Sequence, residues 1–366
     1  MNKIAFICGG MSVEKEISCL TGIKVCKELN STFDQSFLIY LNEHQQFYIV
    51  DSLTPTFIKD HKMTLGKFVS KNGKYYFKTK FKKYYFDQVL ILGHGKNIED
   101  GTLACYFQQL NIPCLSESIY QGSLIQDKYL FKQGVRGLKI PCLSSEIIYK
   151  YQVDDQDILK RITKKIKFPL IVKPTSLGSS IGISKVEDEV SLPSALFEAF
   201  LYDNSAIIEP FILNKREYNI AIIGYEDELE YSNIEEVNHT DRVLSFYDKY
   251  DYSKNNSKRI INPDIDPSLK EKIISYAKRF FKGFNLCGII RFDFIYDQDE
   301  DKLYLNEANL IPGSLAYYLF ENKYTLTELV NKYVELLDKK RKQDKLLFNN
   351  YQEGFINKVD ISKLKK

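Results

Sequence analysis

The sequence predicts an α/β protein of two or three domains, and three observations carry that reading. The chain has 366 residues, enough to enclose several cores. Its first segment alternates strand-like and helix-like stretches, opening with a strand, a Gly-Gly turn and an amphipathic helix. Further on, the stretch from Cys287 to Gly313 reads as a β-hairpin with one charged and one apolar face. The composition agrees, because 44% hydrophobic and 27% charged residues are proportions of a soluble globular protein. A formal charge of +3 gives no global signal for nucleic acid or membrane, and the basic run Lys339-Lys-Arg-Lys342 reads as a solvated helix end. No charged-then-apolar leader opens the chain and no apolar run is long enough to cross a bilayer, so secretion is not expected. Seven cysteines, an odd number, lie at positions 8, 19, 26, 105, 114, 142 and 287 without a Cys-x-x-Cys pair. They are expected as reduced, mostly buried thiols of a cytoplasmic protein.

In chain order, residues 3–8 read as a buried strand, Gly9-Gly10 as a turn and residues 13–29 as a helix with Ile17, Leu20 and Val25 on its apolar side. Ser12 is placed to cap that helix, and Glu14 falls in the first turn, where a carboxylate suits the helix dipole. Capping alone accounts for Glu14; ligand binding is the other reading. Strands are expected over 36–41 and 47–50, then a Lys, Tyr and Phe-rich stretch without evident chemistry, then a strand over 88–92. The last runs into Gly93-His94-Gly95, and ligands of open α/β sheets gather beyond the carboxyl ends of strands. His94 stands at such an end, although a single His is equally at home as a structural residue. A helix over 102–110 follows.

From Tyr120 the pattern changes to a helix containing Asp127-Lys128. Phe168-Pro-Leu-Ile-Val-Lys-Pro174 is a short strand with Lys173 at its end. The loop Thr175-Ser-Leu-Gly-Ser-Ser-Ile-Gly182 has N–H groups and hydroxyls that could cover phosphates, or is an ordinary Gly-Ser loop. It is neither a Walker A motif nor a dinucleotide fingerprint. A third region holds strands over 206–209 and 217–224, a polar loop around Phe246-Tyr-Asp-Lys-Tyr250 and an amphipathic helix over 268–284. The expected regions are 1–117, 118–205, 206–340 and a Lys-rich accessory tail over 341–366.

The hairpin has flanks rich in β-branched and aromatic residues around an acidic turn. With the turn centred near Glu300, Asp293 lies opposite Glu307, and opposed side chains in such a ladder sit roughly 5 Å apart. Alternation puts Arg291, Asp293 and Ile295 on one face and Ile290, Phe292 and Phe294 on the other; Glu307 and Asn309 also point one way. Hard oxygen ligands without His or Cys favour one or two Mg²⁺ ions over zinc. An exposed hairpin with ordinary surface charges is the alternative.

Together these pieces resemble the D-alanine–D-alanine ligases of the ATP-grasp superfamily, in order, from Gly9-Gly-Met-Ser-Val-Glu14 to about Leu319. The match includes His94-Gly, Glu99-Asp-Gly101, Asp127-Lys128, Val172-Lys-Pro174, Gly178-Ser-Ser-Ile-Gly182, Glu209-Pro-Phe-Ile212, Arg216-Glu217, Lys249-Tyr250, Arg291-Phe-Asp293, Asn306-Glu-Ala-Asn309 and Pro312-Gly313. The resemblance implies an ATP-grasp fold, with an N-terminal open α/β, Rossmann-like domain and two α+β domains clasping ATP. It implies that two D-alanines are joined through an acyl phosphate for peptidoglycan synthesis. Mg²⁺, expected as two ions with Mn²⁺ as an alternative, would sit on Asp293, Glu307 and Asn309. Lys128, Lys173 and Lys249 would meet phosphate oxygens, Glu209, Phe211 and Ile212 would form the adenine hinge, and Glu217 would take the ribose. Glu14 would bind the first ammonium, linked to Ser179 and Tyr250, with His94 near the first carboxylate. Arg291 and the N–H of Gly313 would stabilise the oxyanion, and Tyr318 and Leu319 would lie at the second substrate. A homodimer is the family expectation. Acceptors D-lactate or D-serine are the near rivals, and an ATP-binding regulatory protein without turnover is the rival from another class. Two departures stand out: Asn97-Ile98 replaces a usual Gly-Gly, implying a different loop shape, and Tyr318 occupies the position of a carboxylate-gripping Ser.

Overall fold

Three sheets organise the chain in a computed structural model that describes residues 3–29, 36–116, 118–178, 180–237 and 259–344. The first sheet is built from β1 (Ile4–Gly9), β2 (Phe37–Leu41), β3 (Phe47–Val50), β4 (Met63–Lys71), β5 (Lys74–Thr79), β6 (Lys83–Phe86), β7 (Gln88–Ile91) and β8 (Cys114–Leu115), with α1 (Lys15–Leu29) and α2 (Thr102–Gln109) between strands. Its order is β6-β5-β4-β3-β2-β1-β7-β8. The half from β2 through β1 and β7 to β8 is parallel, as strand–helix alternation dictates. The Lys, Tyr and Phe-rich stretch is the other half: β4, β5 and β6 extend the sheet antiparallel. Its Phe68, Phe77 and Phe86 are buried and meet edge to face, while its lysines stay outside. That accounts for a composition without evident chemistry.

A single helix was expected around Asp127-Lys128, and two are present, α3 (Ile119–Gln126) and α4 (Lys128–Gly137). Asp127 separates them with an extended backbone, its carboxylate accepting from the N–H groups of Tyr129 and Leu130 at 2.9 Å. The central sheet contains β9 (Glu146–Tyr149), β10 (Leu170–Pro174), β11 (Ser184–Val186) and β12 (Ser205–Pro210), and it is antiparallel in the order β11-β10-β12-β9. Helices α5 (Gln156–Lys165) and α6 (Leu192–Ala199) cover it through Leu159, Ile162, Leu192 and Leu196. The third region was expected to open at 206. That strand instead pairs with β10 along its length, so it belongs to the central sheet.

The last sheet, in the order β15-β14-β13-β16-β17, comprises β13 (Lys215–Tyr225), β14 (Glu228–Val237), β15 (Arg259–Ile261), β16 (Cys287–Asp297) and β17 (Lys302–Asn309). Helix α7 (Pro267–Gly283) buries Leu269, Ile273, Ala277 and Phe280 against Ile290, Phe292 and Phe294 of β16. Helix α8 (Leu326–Asp344) does something different: Leu329, Val330, Val334 and Leu337 join a core shared with Ile4, Phe6 and Ile23 of the first region. Among the described residues no helix is long and apolar enough to cross a membrane, and no two cysteines are joined by a disulfide.

Candidate active site

The hairpin pairs Asp293 with Glu307 and Arg291 with Asn309, but not by simple alternation. From the turn the ladder runs Asp297 to Lys302 and Phe294 to Leu305, a register that would bring Asp293 to Asn306. A β-bulge at Asn306 inserts one residue and shifts the phase. Leu303 and Leu305 therefore face the core before the bulge, whereas Ala308 and Leu310 do so after it. Without that switch Glu307 and Asn309 would point into the apolar core. Arg291 grips Asp293 with two bonds, Nε to Oδ1 at 2.7 Å and Nη2 to Oδ2 at 2.9 Å, and Asn309 Nδ2 donates to Oδ2 at 3.1 Å. Burial opposes the charge on Arg291, but Asp293 outweighs it and holds the pKa well above the usual arginine value. Ile295, expected on this charged face, is buried.

Opposite this face lie Lys128 and Lys173. Lys128, the first residue of α4, donates through Nζ to the Leu177 carbonyl and lies 3.9 Å from Glu307 Oε1. Its N–H donates to the Thr175 carbonyl at 2.8 Å, fixing the helix to the small-residue loop. Asp203 anchors the base of that loop, accepting from Thr175 Oγ1 at 3.0 Å and Ser176 N at 2.9 Å. Lys173 is buried and lies 2.8 Å from Glu209 Oε2; the other oxygen of Glu209 is 2.6 Å from Lys132. Burial disfavours the Lys173 ammonium, yet Glu209 and Glu307 raise its pKa above the ordinary value. After Glu209, Phe211 and Ile212 are half-buried, with Phe211 N–H donating to the Pro169 carbonyl at 3.0 Å and the Lys185 ammonium 4.5 Å from its ring. Glu217, on β13, accepts from Lys215 at 2.5 Å.

The first region supplies a third wall. Glu14 is buried beyond the end of β1, its N–H donating to Ser12 Oγ at 3.1 Å within the turn before α1, which begins at Lys15 and not at the expected residue 13. Its carboxylate also sits between two loops: a methyl added at Gly178 would lie 3.1 Å from Oε1, and one at Gly95 would lie 2.9 Å from Oε2. Glu14 thus lies against both loops and immediately precedes α1, whose first-turn carboxylate is Glu16. His94, beyond the end of β7, places Nδ1 3.3 Å from Glu99 Oε1. Burial pushes its pKa down, but the Glu99 hydrogen bond and charge, with Glu14, raise it above the ordinary value. Asn97 adopts a left-handed φ of 65°, which Asn tolerates, and Ile98 is buried against the Gly10 turn.

The hairpin exits through Pro312 into a turn over Gly313–Leu319 in which Ser314, Leu315 and Ala316 are left-handed, with φ of 49°, 56° and 49°. Gly313 is exposed, Leu319 is buried, and Tyr318 OH donates to Glu235 Oε2 at 2.9 Å. Burial, with the Glu235 charge, pushes the phenol up to about 12 against the pull of Arg291. Ser179, Lys249 and Tyr250 lie outside the described residues. Two further side chains belong to this constellation and carry no motif: Lys132 and Glu235. The signal for Lys132 was available, since it stands one helical turn after Lys128 on the same face of α4.

Among the described residues no group of three His, Cys, Asp or Glu side chains gathers to hold a metal unaided. Two carboxylates and a carboxamide, with remaining ligands from phosphates and water, are nevertheless a donor set that Mg²⁺ accepts. Asp293, Glu307 and Asn309 therefore fit an ion brought in with a nucleotide.

An antiparallel sheet and a second one carrying Glu307, brought together at Lys128 beside a loop of small residues, have the arrangement of an ATP-grasp fold. Family models for the D-ala D-ala ligase N-terminus and C-terminus match residues 3–116 and 136–335. The chain belongs to the D-alanine–D-alanine ligase family, whose members are ATP-dependent and form a peptide bond. It is 31% identical over 346 residues to a D-alanine–D-alanine ligase of Thermosipho melanesiensis, covering 92% of this chain and 93% of that one. The crystal structure of D-alanine–D-alanine ligase from Helicobacter pylori superposes with a TM-score of 0.73 at 27% identity, covering 92% of this chain and 98% of that one. VanG D-Ala:D-Ser ligase from Enterococcus faecalis gives 0.77 at 25% identity, covering 92% and 100%.

Proposed function

We propose that the chain joins two D-alanines at the expense of ATP, through an acyl phosphate, and so supplies the dipeptide for peptidoglycan synthesis in the cytoplasm. The observation that carries this reading is Glu307 facing Lys128 while Asp293, beside it, is held by Arg291. Phosphoryl transfer is chiefly positioning and charge neutralisation, which this pairing of cations and carboxylates can provide. ATP lies between the central and last sheets, its adenine along residues 209–212, its ribose at Glu217 and its phosphates under Lys128, Lys173 and the small-residue loop. Asp293, Glu307 and Asn309 hold Mg²⁺, which when bound neutralises charge on the phosphate oxygens.

Glu14 takes the ammonium of the first D-alanine, and His94 stands near its carboxylate. A carboxylate oxygen attacks the γ-phosphorus, the bond to the bridging oxygen breaks and ADP leaves. The amine of the second D-alanine then attacks the carbonyl carbon, and phosphate departs with the former carboxylate oxygen. Negative charge on the carbonyl oxygen falls to Arg291 and the N–H of Gly313; one such donor is worth about 3 kcal/mol. Incubation with ATP and D-alanine, alone or with D-lactate or D-serine, tests the reading by ADP release and product mass. D-alanyl-D-alanine is expected; no ADP with D-alanine at any pH would sink it.

A further inference from the structure

Asp293 of β16 lies opposite Asn219 of β13, and Asn219 lies opposite Glu235 of β14. Opposed residues share a face, so Glu307, Asp293, Asn219 and Glu235 form one row across four strands of the site face. Glu235 is fully buried. Its Oε2 accepts from Asn219 Nδ2 and from Tyr318 OH, both at 2.9 Å. Its Oε1 makes no hydrogen bond among the described residues and lies 3.5 Å from Nε of Arg259. Arg259 opposes Val237, two residues from Glu235, and so projects from the same face; its guanidinium carbon is 5.4 Å from the centre of the Tyr318 ring.

A buried carboxylate on this face is unfavourable for any anion unless it anchors a cation. Among the described residues, the other cations near this row already face carboxylates of their own. Arg291 is bidentate on Asp293, Lys215 bonds Glu217, and Arg216 is bidentate on Glu236, whose side chain alternates to the opposite face. Arg259 lies nearest Glu235 through Nε, at 3.5 Å, and its side chain is 52% exposed; a guanidinium also carries a planar pair of donors on its two terminal nitrogens, an edge distinct from Nε.

We propose that Arg259 receives the carboxylate of the second amino acid, with Tyr318 as its platform and Glu235 as the residue that positions both. The inference rests on the ligase reading and assigns the acceptor end of that site. Tyr318 then supports the arginine, its hydroxyl being committed to Glu235, instead of gripping the carboxylate itself. The pairing also explains how a bulky phenol is accommodated where a small hydroxyl is usual.

The test is a competition between two acceptors that differ in that carboxylate. Enzyme, ATP and D-alanine are mixed with D-alaninamide, and the ratio of dipeptide to dipeptide amide is read by mass. A ratio is independent of how much enzyme is folded and of the first half-reaction. Wild-type enzyme should favour D-alanine, and R259M should shift the ratio toward the amide by at least about tenfold, as loss of a charged hydrogen bond demands. R259K should fall between them, and E235Q should shift the ratio in the same direction. A ratio for R259M within about twofold of wild type, on that same scale, overturns the assignment. Should R259M make too little of either product, R259K decides by the same ratio. A wild-type enzyme that makes neither product refutes the ligase reading, a different outcome from an unchanged ratio.

Discussion

Glu209 has no exposure and two cations on it, Lys132 at 2.6 Å and Lys173 at 2.8 Å. Burial alone would raise its pKa, but the two lysines hold it at about 2, below the ordinary 4.5. Because the folded value is the lower one, the stabilisation is complete above the unfolded carboxylate's pKa and is lost as pH falls from about 4.5 toward about 2. Glu209→Gln leaves two ammonium groups facing a neutral amide, an expected loss of about 3–5 kcal/mol near neutral pH. Denaturant titrations from neutral to acid pH should show this gap closing as the wild type loses its carboxylate. A gap constant across that range would exclude the charged triad. Part of it could be read from the sequence: Lys173 and Glu209 lie in recognisable motifs and Lys132 stands one helical turn after Lys128, but that spacing does not show that Glu209 is its partner.

At the scale of elements, α4 and the hairpin are set by short-range devices. Asp127 both ends α3 and caps α4, and the cap places Lys128 against Leu177 and the small-residue loop. Asp127→Ala should cost about 1 kcal/mol of stability. It should also weaken ATP binding more than affinity for the first D-alanine, because Lys128 itself is displaced whereas Glu14 is reached only through the loop at Gly178; calorimetric titration of each ligand checks this. Equal weakening of both would mean that the cap supports the whole fold. The opposition of Asp293 and Glu307 was legible from the acidic turn, but its cause was not. A bulge leaves no fixed residue signature, and Asn306 passes as an ordinary strand residue until the core-facing phase changes from Leu305 to Ala308.

At the scale of the molecule, the alternation of buried strands with helices disclosed the parallel half of the first sheet, and helical periodicity disclosed the apolar side of α7. Pairing partners were harder to read. The strand Ser205–Pro210 carries nothing in its own sequence to say that it closes the central sheet, since the partner in sequence and the partner in space differ. Strands β4 to β6 hide in a lysine-rich composition because alternate aromatics, not aliphatics, make their core. Tyr318 was singled out by the resemblance, but its partners Glu235 and Arg259 were not, because the three come from three elements. In the proposed reaction the carboxylate of the first D-alanine is phosphorylated before the amine attacks. D-alanine carrying isotopically labelled carboxylate oxygens, turned over with ATP, tests that route most directly by mass analysis of the released phosphate. The account predicts one labelled oxygen in each phosphate released per dipeptide formed; dipeptide accompanied by unlabelled phosphate would contradict it.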